Sequence, residues 1–119
     1  MTEYRLGPVE ARFADLIWEN QPIPSGVLVK LCEEKLEWKK STTYTMLKRL
    51  CQKGIFQNED GVVKALISKA EFESLQSQEF VEETFDGSLP RFLAAFTRKK
   101  KLSETEIEEL KKLIDDSRR

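Results

Sequence analysis

Side chains suited to binding anions are concentrated in the segment KKSTTYTMLKRL, residues 39–50, where basic residues stand on both sides of a hydroxyl-rich stretch. Residues 38–58 contain five Lys or Arg and no Asp or Glu, whereas residues 59–86 contain eight acids and two Lys. Hydroxyl and cationic groups donate hydrogen bonds to phosphates and to base edges. The pattern therefore predicts a binding surface for a polyanion.

The remaining composition excludes other kinds of site. The chain has no histidine, so it lacks an imidazole base and a His metal ligand, and Cys32 and Cys51 lack the spacing of a CxxC pair. It also lacks a Gly-rich phosphate loop and a paired-carboxylate cleft. We therefore expect no enzyme, no cofactor and no bound metal.

Length and hydropathy predict a small protein of the cytoplasm. The 119 residues, 39% apolar and 34% charged, suffice for one compact core or for a small domain with an interaction segment. No apolar run approaches the roughly 20 residues that span a bilayer. The N-terminal residues MTEYRLGPVE include acid and base where a signal peptide would be apolar. We expect no membrane insertion.

Periodicity and capping residues predict six helices and a hairpin. Gly7 and Pro8 open the first helix, SGVLVKLCEEKL forms the second, and Ser41 is expected to cap a third that ends at Gly54. Apolar residues on both sides of NEDG then predict a β-hairpin. Capping boxes at residues 68–71 and 103–106 open a fourth and a sixth helix, with a short fifth between them.

This element order predicts a mostly α protein with a small β-wing. Residues 1–68 are predicted to form a winged helix-turn-helix DNA-binding domain, and residues 69–119 a helical dimerisation domain. The second part has many apolar residues for the core that about 50 residues can enclose, so a second copy is expected to complete it. The predicted dimer residues are Phe72, Leu75, Val81, Phe85, Phe92, Phe96, Ile107, Leu110 and Ile114.

The third helix is the one that a helix-turn-helix fold places in the major groove of DNA. Small hydroxyl groups at its start allow close approach to base edges, and Arg49 suits a two-pronged contact with guanine or phosphate. Lysines at both ends suit phosphate neutralisation. The predicted DNA-contacting residues are Lys39, Lys40, Ser41, Thr42, Tyr44, Thr45, Lys48, Arg49 and Lys53.

Three stretches, EARFADLIW, STTYTMLKRLCQKGIF and LSETEIEELKKLI, together resemble the penicillinase repressor family of bacterial winged-helix transcriptional repressors. The similarity runs from Leu6 to about Ile114, and its most specific parts are Glu10, Trp18 and the pattern within residues 42–54. The resemblance implies a homodimer that binds a pseudo-palindromic operator in double-stranded DNA and represses transcription.

The resemblance also implies a route of induction. In well-known members a membrane sensor protease cuts the C-terminal part, and the corresponding bond here joins Ala95 and Phe96. Ala95 stands where the family often has asparagine. Because the chain lacks the terminal cysteine cluster of copper-responsive members, no metal inducer of that type is expected.

The predicted wing differs from the family in charge. Relatives often have an Arg- or Tyr-rich wing, whereas this one has Glu59 and Asp60 at its tip and Lys64 as its only cation. Acids repel phosphates, so we expect the wing to add little to DNA affinity. The same acids favour an alternative, a winged-helix protein–protein interaction module without sequence-specific DNA binding.

Cysteine and tryptophan complete the set of candidate residues. Cys32 and Cys51 lie on apolar helix faces and are expected to pack as small hydrophobes rather than to act as redox switches. Cys51 is the less settled of the two, because Lys48 and Lys53 lie near it and positive charge favours the thiolate. Trp18 is expected in the core, whereas Trp38 either contacts the DNA backbone or caps the core.

Overall fold

A computed structural model describes residues 4–119, which form six helices and a three-stranded antiparallel sheet. This confirms the predicted class, mostly α with a small β-wing; the first three residues of the predicted domain 1–68 lie outside the described residues. The elements are α1 (Pro8–Asn20), β1 (Ile23–Pro24), α2 (Ser25–Leu36), α3 (Lys40–Gln52), β2 (Phe56–Glu59), β3 (Val62–Ala65), α4 (Lys69–Phe85), α5 (Leu89–Thr97) and α6 (Glu104–Asp116).

The chain divides into two compact units, Met1–Glu79 and Phe80–Arg119. The functional boundary at residue 68 stays a prediction. None of the helices in the described part of the chain has the length and apolarity needed to cross a bilayer.

Helix starts follow the predicted capping residues with one exception. Gly7 is the N-cap of α1, and the N–H of Gly7 donates to the Glu10 carboxylate at 3.2 Å. Both predicted capping boxes form, because the N–H groups of Glu71 and Glu106 donate to the preceding serine hydroxyls at 3.0 and 3.1 Å. The prediction for α3 is wrong by two residues: its N-cap is Lys39, and Ser41 lies within the first turn.

The wing is a tight hairpin of β2 and β3, and its second strand is paired on both sides. Its turn residues Asp60 and Gly61 have φ of 53° and 76°, the positive values that a two-residue turn between twisted strands requires. β3 pairs with β2 on one side and with β1 on the other. The sequence does not predict β1, because a strand of two residues is too short to show an alternating pattern.

The core of the first unit lies between α1, α2, α3 and the sheet. Trp18 packs against this core as predicted: its indole N–H donates to the Ile67 carbonyl at 3.1 Å. Trp38 lies 5.1 Å from Phe13 between ring centroids, so it packs on the core. The largest fully buried side chains are Phe13, Phe56, Ile17, Leu28, Leu47, Leu50, Ile55, Val63, Thr43 and Cys32.

Phe72 also belongs to this core. It was expected in a dimer interface, but it is 5% exposed, and its ring lies 5.4 Å from that of Trp18 and 6.0 Å from that of Tyr4 between centroids. Its burial is complete within its own chain. The structure therefore assigns Phe72 to the core of the first unit.

The second unit encloses much less. No residue of Phe80–Arg119 is fully buried, and on α6 Leu113 and Ile114 are 67% and 53% exposed. A cluster of aromatic rings holds the unit together, with neighbouring centroids 5.6 to 6.1 Å apart. Its members are Phe80, Phe85, Phe92 and Phe96.

Replacing Leu50 by Ala tests the packing of α3. Leu50 is fully buried, so the Leu50→Ala change is expected to lower the free energy of unfolding by about 2 to 5 kcal/mol through lost burial and a residual cavity. Val27, which is 51% exposed on α2, provides the control, because Val27→Ala should change the free energy of unfolding by no more than about 0.5 kcal/mol. Urea unfolding followed by circular dichroism measures both. Equal losses would show that α3 does not pack as described.

Candidate nucleic-acid interface

Helix α3 has one buried side and one side open to solvent. Thr43, Leu47 and Leu50 are buried at spacing i, i+4 and i+7, which places them on one side of the helix. The opposite side carries an exposed polar row at spacing i, i+4, i+7 and i+11, which we call the outer stripe. The outer stripe consists of Ser41, Thr45, Lys48 and Gln52.

Gln52 is a candidate that the sequence analysis missed. It is uncharged and ends α3, so neither charge nor hydroxyl content draws attention to it. It lies four residues after Lys48 and is exposed. The helical spacing of the outer stripe is the signal that would have found it.

The start of α3 suits an anion. Lys39, Lys40 and Thr42 are exposed there, no acid lies in the first turn, and no side chain caps the helix. The first backbone N–H groups of a helix have no partner within it, and the helix dipole is positive at this end. Backbone and side chains together therefore offer phosphate-binding donors.

Tyr44 lies elsewhere than predicted. It is half-buried, and its hydroxyl is hydrogen-bonded to that of Ser25, the first residue of α2, at 3.1 Å. The N–H of Ser25 in turn donates to the Gly61 carbonyl in the wing at 2.8 Å. Tyr44 thus connects α3 to α2 rather than standing free on the exposed side.

Two of the predicted cations also contact their own chain. The Arg49 guanidinium lies 3.9 Å from the Glu10 carboxylate, with 55% of the Arg49 side chain exposed. The Lys53 ammonium donates to the Arg5 carbonyl at 3.0 Å. Only one such contact is made and it is long, so the half-exposed Arg49 guanidinium keeps most of its donors for a phosphate. Half-buried Lys53 is directed towards the N-terminal segment.

The wing presents acids to solvent beside α3. Glu59 and Asp60 are exposed at the tip, and the side-chain amide of Gln57 donates to the Glu59 carboxylate. Lys64 is exposed on β3. Both acids keep their charge at the surface, and towards a phosphate their effect is repulsive.

Comparisons with known proteins agree with this architecture. The family model described as Penicillinase repressor matches residues 6–116. The chain is 23% identical over 116 residues to the methicillin resistance regulatory protein MecI of Staphylococcus aureus, with 94% of each chain covered. It is 24% identical over 116 residues to the penicillinase repressor of Bacillus licheniformis, covering 94% of this chain and 91% of that protein.

Burial raises the pKa of both thiols, which agrees with the prediction that they pack as small hydrophobes. Burial raises the pKa of Cys32, against a smaller lowering by the Thr43 hydroxyl. Burial also raises the pKa of Cys51, with a smaller opposite effect from the Asn58 backbone. The Cys51 pKa is therefore not lowered by the nearby lysines, because loss of hydration on burial is the largest effect on this thiol.

Alkylation of the thiols is therefore expected to be slow near neutral pH. Only the thiolate attacks, so the rate at Cys51 should keep rising with pH beyond the ordinary thiol pKa. Cys51 should react before fully buried Cys32. Mass spectrometry after iodoacetamide treatment over a pH series measures both rates, with Cys51→Ser as the control that assigns them. A Cys51 rate already at its plateau at about pH 7 would contradict the raised pKa.

Proposed function

Because the chain belongs to the penicillinase repressor family, whose members are transcriptional regulators and not enzymes, we propose that it is a sequence-specific DNA-binding repressor acting as a homodimer on a pseudo-palindromic operator. The observation that supports this most is the outer stripe of α3, on the helix that this fold inserts into the major groove. Repression then follows by occlusion, since two α3 helices in successive major grooves exclude polymerase.

The outer stripe offers groups of the types that read bases. Ser41 and Thr45 bring short hydroxyls close to base edges, and the Thr45 methyl suits the thymine methyl. Further along, Lys48 suits guanine and the Gln52 amide suits adenine. Lys39, Lys40 and Arg49 would bind phosphates, which fixes the register of the helix in the groove.

Dimerisation accounts for the apolar surface of the second unit. A groove of about 450 Å³ is lined by side chains of α5, α6 and the segment between them, among them Phe92, Phe96 and Leu110. Leu113 and Ile114 extend this apolar surface into solvent. A second copy that covers it would gain most of its binding free energy from burial of apolar area. Within the second unit the proposed dimer residues are Val81, Phe85, Phe92, Phe96, Ile107, Leu110 and Ile114, and Leu75 of α4 is proposed with them.

Relief of repression is proposed to follow a cut between Ala95 and Phe96 by a membrane sensor protease. The bond lies inside α5, where the Ala95 carbonyl accepts a hydrogen bond from the Arg98 N–H at 3.3 Å. A cut there separates α6, with Leu113 and Ile114, from the DNA-reading part. Loss of the dimer would then release the operator.

The acidic wing favours a second candidate, a protein–protein interaction module. Glu59 and Asp60 would then contact a basic partner, and α3 would have no preference among DNA sequences. Removal of a cation from the outer stripe distinguishes the two candidates.

Replacing Lys48 by Ala is expected to reduce preference for the chain's own promoter over random DNA by about tenfold, the usual effect of one lost base contact. Lys30→Ala is the matched control, because Lys30 is an exposed lysine of α2 outside the outer stripe. Fluorescence anisotropy with promoter and random duplexes at one salt concentration measures the ratio. A wild-type protein without promoter preference would support the interaction module instead.

The dimer is tested at Ile114, which is 53% exposed and so can be changed without disturbing the protomer. Ile114→Asp is expected to give a monomer at micromolar concentration and to weaken operator binding by more than tenfold, because a charge enters an apolar contact. Thr105→Asp places the same charge on an exposed polar position of α6 and should stay dimeric. Light scattering measures mass. A proven monomer that keeps full operator affinity would refute the cooperation of two copies.

A further inference from the structure

The connection between α5 and α6 carries the densest positive charge of the chain. Residues 98–101 are Arg, Lys, Lys and Lys, all exposed, and we call them the basic run. Residues 87–103 contain no acid. A positive surface is therefore present in the second unit, next to Phe96 of the apolar groove.

The contacts that the basic run makes within its own unit do not account for its four positive charges. Arg98 is the C-cap of α5, where one cation stabilises the helix dipole. Lys100 lies 6.0 Å from the centroid of the Phe96 ring. Hydrogen bonds from Ser103 lower the pKa of Glu106, and the charge of Lys100 lowers it further, without a direct ion pair. In the part of the chain that the structure describes, the basic run forms no ion pair within 4 Å. Four adjacent like charges repel one another, and binding of phosphates would relieve this repulsion.

Four exposed cations of α3 are available to DNA, namely Lys39, Lys40, Lys48 and Arg49, but their surroundings reduce the net attraction. Lys53 is turned towards the Arg5 carbonyl, Arg49 has Glu10 as a neighbour, and the wing tip carries two acids. Affinity for DNA grows with the number of phosphates that are neutralised. Further cations elsewhere in the chain would add to the attraction that α3 supplies.

We propose that the basic run is a second, sequence-independent contact that binds backbone phosphates of the same DNA duplex, outside the bases that α3 reads. This rests on the proposed function, since binding by α3 holds the run at a high effective concentration near a duplex. Anionic lipid offers similar phosphate groups, but no comparable tether favours it. Lysines act as point charges on phosphate, so the run raises affinity for promoter and random DNA by the same factor.

The test compares two variants of the full chain that lose equal charge. One replaces Lys99, Lys100 and Lys101 by Gln; the control replaces Lys111, Lys112 and Arg118, exposed cations of the same unit, by Gln. The first is expected to bind random duplex about tenfold more weakly at low salt, and the slope of log affinity against log salt should fall by about two to three per protomer. Its promoter-to-random ratio should not change, and the control should bind like the wild type.

Further measurements separate the explanations. A Lys99→Arg, Lys100→Arg, Lys101→Arg variant should keep the wild-type slope, and circular dichroism with light scattering verifies fold and mass. Equal loss in the Gln variant and its control, or no loss in either, would overturn the proposal. So would unchanged DNA binding together with lost binding to phosphatidylglycerol vesicles, which would assign the run to lipid. If the wild type lacks promoter preference while the Gln variant loses slope, the proposed repressor function fails and the phosphate contact stands.

Discussion

Burial of Leu47 and Leu50 fixes the rotation of α3 about its axis, and the whole proposed interface depends on that rotation. With these side chains held between α1, α2 and the sheet, the outer stripe must face solvent. A turn of the helix by one residue would expose a leucine and bury a charged side chain, and both changes cost free energy. In the proposed interface the core residues themselves do not touch DNA. They nevertheless determine which side chains of α3 are able to reach it.

Contacts around α3 hold its two ends differently. Near the start, the hydrogen bond between Tyr44 and Ser25 ties α3 to α2, while the N-terminal backbone donors remain available. At the other end, Lys53 reaches the Arg5 carbonyl and Arg49 approaches Glu10. Positive charge is thus partly satisfied at the C-terminal end of α3 and unsatisfied at the N-terminal end. This asymmetry suits a recognition helix that enters a groove by its N-terminal residues.

Local signals in the sequence predicted most of the fold, and contacts between distant residues account for the differences. Gly7 and the two capping boxes act within a few residues, so composition alone locates those helix starts. The shift of the α3 cap from Ser41 to Lys39 is within the uncertainty of any helix end. The predicted positions of Phe72 and Tyr44 differ from the observed ones because of contacts with other elements. Helical periodicity shows on which side of its own helix a side chain lies, but it does not show which neighbouring element covers that side. The Cys51 pKa depends on hydration, which charge counting ignores.

The sparse burial in the second unit links stability to function. No residue of this unit is fully buried, so the apolar contacts that stabilise it would have to come from a second copy. Folding of the second unit and formation of the dimer would then be coupled. A single α3 would bind a half-site more weakly than two joined copies bind the whole site, because joining them makes the second contact intramolecular. The affinity for DNA would then depend steeply on the fraction of the protein that is dimeric. In the proposed mechanism, separation of α6 by a cut in α5 would weaken DNA binding while leaving every side chain of α3 in place, so the second unit would be the point of control.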